Sequence, residues 1–283
     1  MPSTNGDILV DEDAVRAQLE EIANQRNVFR NAFRTSDVSD VNNDTVNFLV
    51  WEDTPEEVEI VPKGAEFPRR GSPARRIPCV RSKYGEEYGI TKEDLMDEIL
   101  DNVQEEADSK MRRLVNRLDN AAYTTLRNNL SSEGPFTPDS GATGTLSYET
   151  IVDANATLEE KNDNQPNTTY EPDTIFVGSW GKADLLKDNN FIHATEAGDE
   201  TIREGRIGRV TGIGDVFVST SSDLGKGEAI LVDSDMYGRE AQWQGPDTDR
   251  YEEKKTQTEI VMQMDALMGW CATQPEAGIL IDG

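Results

Sequence analysis

Apolar residues recur at spacings of three and four through one long stretch of the chain: Met96, Leu100, Val103, Ala107, Met111, Leu114, Leu118, Ala122, Leu126 and Leu130. That period marks a helix with one apolar face. Thr91 and Asp94 ahead of it have the form of a capping box, so the pattern predicts a helix over residues 91–130. At 1.5 Å per residue it would run on the order of 58 Å, longer than a small domain is wide. The stripe is narrow, which argues against burial on every side, and no sustained heptad with flanking charge pairs appears, so a coiled coil is the weaker reading. The helix reads as a spine with a thin domain lying against it. Upstream, Val15, Leu19, Ile22, Ala23 and Phe29 predict an amphipathic helix over residues 11–34, with Asp11 and Asp13 as candidate caps. The polar run RTSDVSDVNNDT then separates it from the next element, which gives the first segment the character of an arm.

Between these helices the period changes to two. Val46, Phe48 and Val50 alternate with other residues, as do Val58 and Ile60, and predict strands. The Pro-, Gly- and Arg-rich run PKGAEFPRRGSPARRIP lies between strands, and a loop this long is uncommon unless it has work to do. Beyond residue 130 comes the loop SSEGPFTPDSGATGT, then a helix marked by Tyr148, Ile151, Val152, Ala154 and Leu158. DTIFVGS suits a short buried strand and WGKADLLKD a short helix. GEAILVDSDMYG reads as strand and turn, TEIVMQMDALMGWCAT as a strand apolar at Ile260, Met262, Met264, Ala266 and Met268, and AGILIDG as a last strand. The order lacks the regular strand–helix alternation of a doubly wound sheet and has no internal repeat, so the fold class is α+β.

Charge changes the picture. The 283 residues carry 55 acidic and 28 basic side chains, a formal net charge of −27, and only 35% are hydrophobic. Such a balance can signal disorder, but the periodic apolar blocks and four Trp argue for a folded chain with an acid-coated surface. Molar salt shrinks the Debye length to about 3 Å and screens the self-repulsion. The expectation is a protein of a salt-accumulating cytoplasm, as in haloarchaea. A nucleic-acid reader is disfavoured, since phosphate binding needs a basic face. Cys79 and Cys271 are far apart in sequence and form no CxxC, which excludes a cysteine zinc site or thioredoxin-like motif. The start MPSTNGDILVDED lacks the pattern of a signal region, and no apolar run approaches 18 residues, so no membrane partner is expected. The sequons at Asn43, Asn129, Asn155 and Asn167 read as chance.

Candidate chemistry is sparse. The single histidine, His193, falls in NNFIHATEAG, a loop, and VGSWG misplaces the serine of a nucleophile elbow. DSDMYGREAQWQ has Asp233, Asp235 and Gly238 at calcium-loop positions, but Tyr237 and Gln244 stand where ligands belong, so a turn between strands is the better reading. The run REGRIGRVTGIGDVFVSTSS carries Gly205, Gly208, Gly212 and Gly214. No Lys-Ser/Thr pair follows and no helix opens, so the glycines are assigned to a turn between strands 206–210 and 215–219 rather than to a phosphate. No catalytic residue, cofactor or metal site is expected.

The same run, GRIGRVTGIGDVFVSTS, with VGSWGKADLL before it, resembles a segment of the major capsid proteins of tailed double-stranded-DNA viruses. The order of arm, extended loop, spine helix, mixed domain and returning strands is similar to that family over nearly the whole chain. The resemblance implies the fold named after phage Hong Kong 97, shared with encapsulin shells. It implies an N-terminal arm at 1–45, an extended loop at 46–90 and a peripheral domain with the spine helix at 91–145. An axial domain at 146–232 and peripheral return strands at 233–283 complete the division. The implied function is a major capsid protein assembling as hexamers and pentamers into an icosahedral shell that encloses double-stranded DNA without reading its sequence. Scaffold, portal and stabilising capsid proteins are the further partners, the virion is the location, and assembly occurs in the host cytoplasm. Residues 1–34 are then expected to pack on other subunits. Lys63 and Lys83 lie in the loop, but no local motif carries over the cross-link some relatives form. No scaffolding region is visible, which suggests a separate scaffold or prior removal. The alternatives are an encapsulin-like cargo shell or, in another class, a halophilic enzyme or ligand-binding protein.

The basic cluster Arg69, Arg70, Arg75, Arg76, Arg81 and Lys83 stands out in an acidic chain. In an extended loop its arginines are expected to dock on carboxylates of the adjacent subunit, since the planar guanidinium pairs bidentately and keeps its charge when partly buried. Arg69, Arg70, Arg75 and Arg76 are the candidate inter-subunit contacts.

Overall fold

The computed structural model describes residues 12–51, 61, 71, 73–91, 100–132, 145–160, 169–188, 191, 206–210, 213–219, 224–253 and 259–281. Its first helix, α1 (Glu12–Arg26), buries Val15, Leu19 and Ala23. It stops well short of residue 34. Val28, Phe29 and Arg30 all donate their backbone N–H groups to Asp119 Oδ1, at 3.0, 2.8 and 3.3 Å, and the chain tightens into a 3-10 turn, Phe29–Ala32. That carboxylate takes up donors a longer helix would have satisfied internally. Strand β1 (Phe33–Asp37) follows.

Strands β2 (Thr45–Trp51) and β3 (Ala74–Val80) form a two-stranded ribbon, and β4 (Ser82–Thr91) runs directly on from it. Here the capping-box reading is corrected: Thr91 ends a strand, paired with Glu259, rather than starting a helix. The period-two placement of Tyr88 and Ile90 on a buried face prevails over the local cap signal. Ser82–Thr91 belongs to a four-stranded sheet.

The spine helix α2 (Leu100–Ser132) has 33 residues, about 50 Å at the helical rise. Its stripe serves three cores in succession. Ala107, Met111, Leu114 and Val115 pack with Val15, Leu19, Tyr88, Ile90, Met262 and Met264. Leu118 meets Ala266 and Met268. Ala122, Leu126 and Leu130 enter the largest cluster, which includes Phe29, Phe176, Ile230 and Leu280. Val15, Leu19 and Ala23 of α1 are therefore closed against this chain's own spine.

Helix α3 (Tyr148–Glu159) is capped by Ser147, whose hydroxyl accepts from Thr150 N. Strand β5 (Thr174–Gly178), helix α4 (Ser179–Leu185), strands β6 (Arg206–Val210), β7 (Gly214–Ser219) and β8 (Ala229–Val232), the long β9 (Gly238–Glu253) and β10 (Glu259–Ala272), and β11 (Gly278–Ile281) complete the chain. One sheet has the order β1-β9-β10-β4, with β1 parallel to β9 and the rest antiparallel. The other has the order β11-β8-β5-β7-β6. Strand β11 pairs antiparallel with β8 at the edge of the five-stranded sheet. Its four residues are all buried, which gives the terminus a full share of the core.

Candidate functional site

The ribbon presents two unlike faces. Its register runs from Thr45 opposite Val80 to Trp51 opposite Ala74. Val46, Phe48, Ile77 and Cys79 face the body and pack with Val38, Ala241, Trp243 and Cys271. Leu49, Trp51 and Val80 point the other way and are 56, 64 and 59% exposed. Arg76 shares that outer face, opposite Leu49. An isolated two-stranded ribbon is marginal in water, and one with an apolar outer face is suited to a partner surface. The signal was present in the sequence: Val46, Phe48 and Val50 hold one phase of the alternation, while Leu49 and Trp51 break it by being apolar in the other.

The basic cluster is divided by this geometry. Arg75, opposite Val50 on the inner face, donates to the Thr273 carbonyl at 3.1 Å. Arg81 pairs with Asp44. Lys83 Nζ lies 2.8 Å from the mostly buried Asp265 carboxylate, which raises the ammonium pKa. Arg75 thus has a partner within its own chain. Arg76 is exposed, while Arg69 and Arg70 lie outside the described residues.

The ribbon is seated on β10 by a close backbone approach. A Cβ at Gly269 would lie 2.3 Å from the Val80 carbonyl oxygen, so only glycine lets the strands cross there. Trp243 Nε1 donates to the Asn43 carbonyl at 3.1 Å and ties the ribbon's entrance to β9. Below the crossing, Arg30 grips the buried Glu240 through two bonds of 2.7 Å, and Trp270 Nε1 donates to the same carboxylate at 2.8 Å. Bidentate pairing with a further donor is the arrangement in which a buried carboxylate is well compensated. Asp119 completes this polar seam. Burial pushes its carboxyl up to about 6, against the pull of the three N–H donors and Arg30.

The other candidate chemistry resolves into structure. Asp233 accepts N–H bonds from Glu171, Asp235 and Met236 at 3.0, 3.2 and 3.2 Å, the pattern of a turn joining β8 to β9. Among the described residues, no three His, Cys, Asp or Glu side chains converge to hold a metal ion. His193, Gly205 and Gly212 lie outside the described residues. Gly214 opens β7, and a Cβ there would fall 2.0 Å from the Asp173 carbonyl oxygen, so this glycine serves close packing between strands. No helix in the described residues is long and apolar enough to cross a membrane.

The sequence matches the family model described as phage capsid protein over residues 80–281. No curated protein matches it. The structure is similar to that of a virus-like particle from Pyrococcus furiosus, with TM-score 0.59 and 13% identity over 96% of this chain and 99% of that one. It is also similar to the capsid structure of the cyanophage P-SCSP1u, with TM-score 0.60 and 9% identity over 90% of this chain and 87% of that one. A third similar structure, from Microbacterium phage Oxtober96, has TM-score 0.61 and 12% identity over 90% of each chain. At these identities the likeness speaks for the fold.

Proposed function

The chain belongs to the phage capsid protein family, and from that premise we propose that it is the major capsid protein of a tailed double-stranded-DNA virus. The fold is of the Hong Kong 97 type. The proposed subunit forms hexamers and pentamers that close into an icosahedral shell around the genome, with a structural rather than an enzymatic role. Scaffold, portal and stabilising proteins are its further proposed partners, and DNA is enclosed without sequence reading. The virion is its proposed location, with assembly in the cytoplasm of a haloarchaeal host.

The observation that carries this reading is the ribbon: a two-stranded projection whose outer face exposes Leu49, Trp51 and Val80 beside Arg76. Residues 45–80 are proposed as the extended loop that lies on a neighbouring subunit. The spine helix with the four-stranded sheet is the proposed peripheral domain, and the five-stranded sheet the axial domain. Arginine beside exposed apolar groups suits an interface that must hold at high salt, where only close, partly desolvated pairs escape screening. The test is charge reversal of Arg69, Arg70 and Arg76 to Glu. The variant should keep its circular dichroism spectrum and sediment as unassembled subunits. Shells of normal size and yield from it would count against the proposed loop contact.

A further inference from the structure

The two cysteines share one buried cluster. Cys79 lies on β3 in the ribbon and Cys271 on β10 in the four-stranded sheet, and both are free thiols buried in one apolar cluster with Val38, Ala241 and Trp243. Two residues before Cys271 on the same strand face, Gly269 clears the space into which Cys79 reaches. The Cys79 Sγ lies 3.3 Å from where a Cβ at 269 would stand. Each side chain shifts the other's titration, and the Cys271 thiol donates to the Arg239 carbonyl at 3.8 Å. Both lie where the ribbon crosses the body beside Gly269.

We propose that Cys79 and Cys271 are a disulfide-forming pair, which a two-electron oxidant of the peroxide class closes to fasten the root of the ribbon covalently to the sheet beneath it. The Cys79 sulfur is the first nucleophile. Its pairing with Cys271 lowers the Cys79 thiol pKa, while the same pairing and burial hold the Cys271 thiol well above the ordinary range. The thiolate attacks a peroxide oxygen, the O–O bond breaks, and the departing hydroxide takes up a proton as water, leaving a sulfenic acid on Cys79. The Cys271 sulfur then attacks the Cys79 sulfur. The S–O bond breaks and hydroxide leaves, taking up the Cys271 proton as water. Two thiols lose two electrons and one peroxide becomes two waters. Hydrogen peroxide is small and uncharged, and Val46, Phe48 and Ile77, which cover the cluster, are only partly buried. This inference rests on the position of two side chains and is independent of whether the subunits assemble.

The chain contains only these two cysteines, which makes the test direct. The purified full-length protein, as subunits and as any particles it forms, is treated with hydrogen peroxide, denatured, alkylated and digested without reductant. The pair predicts loss of both alkylatable thiols, a mass decrease of about 2 Da per chain, one linked peptide joining Cys79 to Cys271 within a chain, and full reversal by dithiothreitol. The oxidised protein should melt higher than the reduced one, and hydrogen exchange at residues 74–80 should slow. Cys79→Ser and Cys271→Ser, checked for folding by circular dichroism, should lose both effects of oxidation. Thiols that stay alkylatable, oxidation to sulfinic acid without a link, or disulfides only between chains would each overturn the proposal. The wild-type chemistry decides the matter even if a serine variant fails to fold.

Discussion

At the scale of single residues, Asp119 sets the angle at which the N-terminal segment enters the body. It receives Val28, Phe29 and Arg30 at the end of α1 while standing on the spine helix. Because its folded pKa is raised to about 6, the folded chain holds this proton more tightly than the unfolded chain does. This group's contribution is therefore greatest at low pH and declines as pH rises from about 4 to about 6, after which it is flat. Asp119→Asn removes the titration. Urea-derived stability of the wild type, plotted relative to that variant, should fall across this window by no more than about 1.4 kcal/mol per pH unit. A difference that does not change with pH would show that Asp119 does not titrate there. Its role was not legible in the sequence. It falls among the apolar stripe positions of the helix as an ordinary surface acid would, and only the packing of residues 28–30 over it makes it an acceptor. The contact between Cys79 and Cys271 was hidden for the same reason, since it depends on how the ribbon folds back over β10.

At the scale of elements, the long apolar stripe was legible because a single period runs through many turns, and its narrow width anticipated a helix covered along one side. The alternation at Ile260, Met262 and Met264 likewise placed β10. What failed were the ends of the elements. Thr91 carries a cap signal that strand pairing overrides, and the apolar face of α1 says that it must be covered without saying by what. The structure covers it with Met111, Leu114 and Val115 of the same chain. Leu19→Ala should therefore destabilise the isolated subunit by about 2–5 kcal/mol, the range for removing a fully buried leucine. Chemical denaturation of unassembled protein measures it. An unchanged midpoint in the subunit, with a loss confined to particles, would restore the arm to a contact between chains. The spacing of Leu49 and Trp51 gave the ribbon its second apolar face in plain view, but exposure is a property of the fold and needed the pairing with β3 to be seen.

For the whole molecule, the net charge of −27 acts within each subunit and again wherever subunits meet. Thermal melts should rise steadily between about 0.1 M and about 3 M salt as screening shortens the reach of that repulsion. Equal melting temperatures at the two ends would remove salt adaptation from the account. The family assignment and the mixed α+β order of elements point to assembly as the function, and assembly is what must be seen. Negative-stain electron microscopy of the purified chain at high salt is the most direct measurement. Uniform closed shells, or rings of six and five subunits, are the predicted result. A compact monomer at every salt and protein concentration tried would contradict the account at its centre.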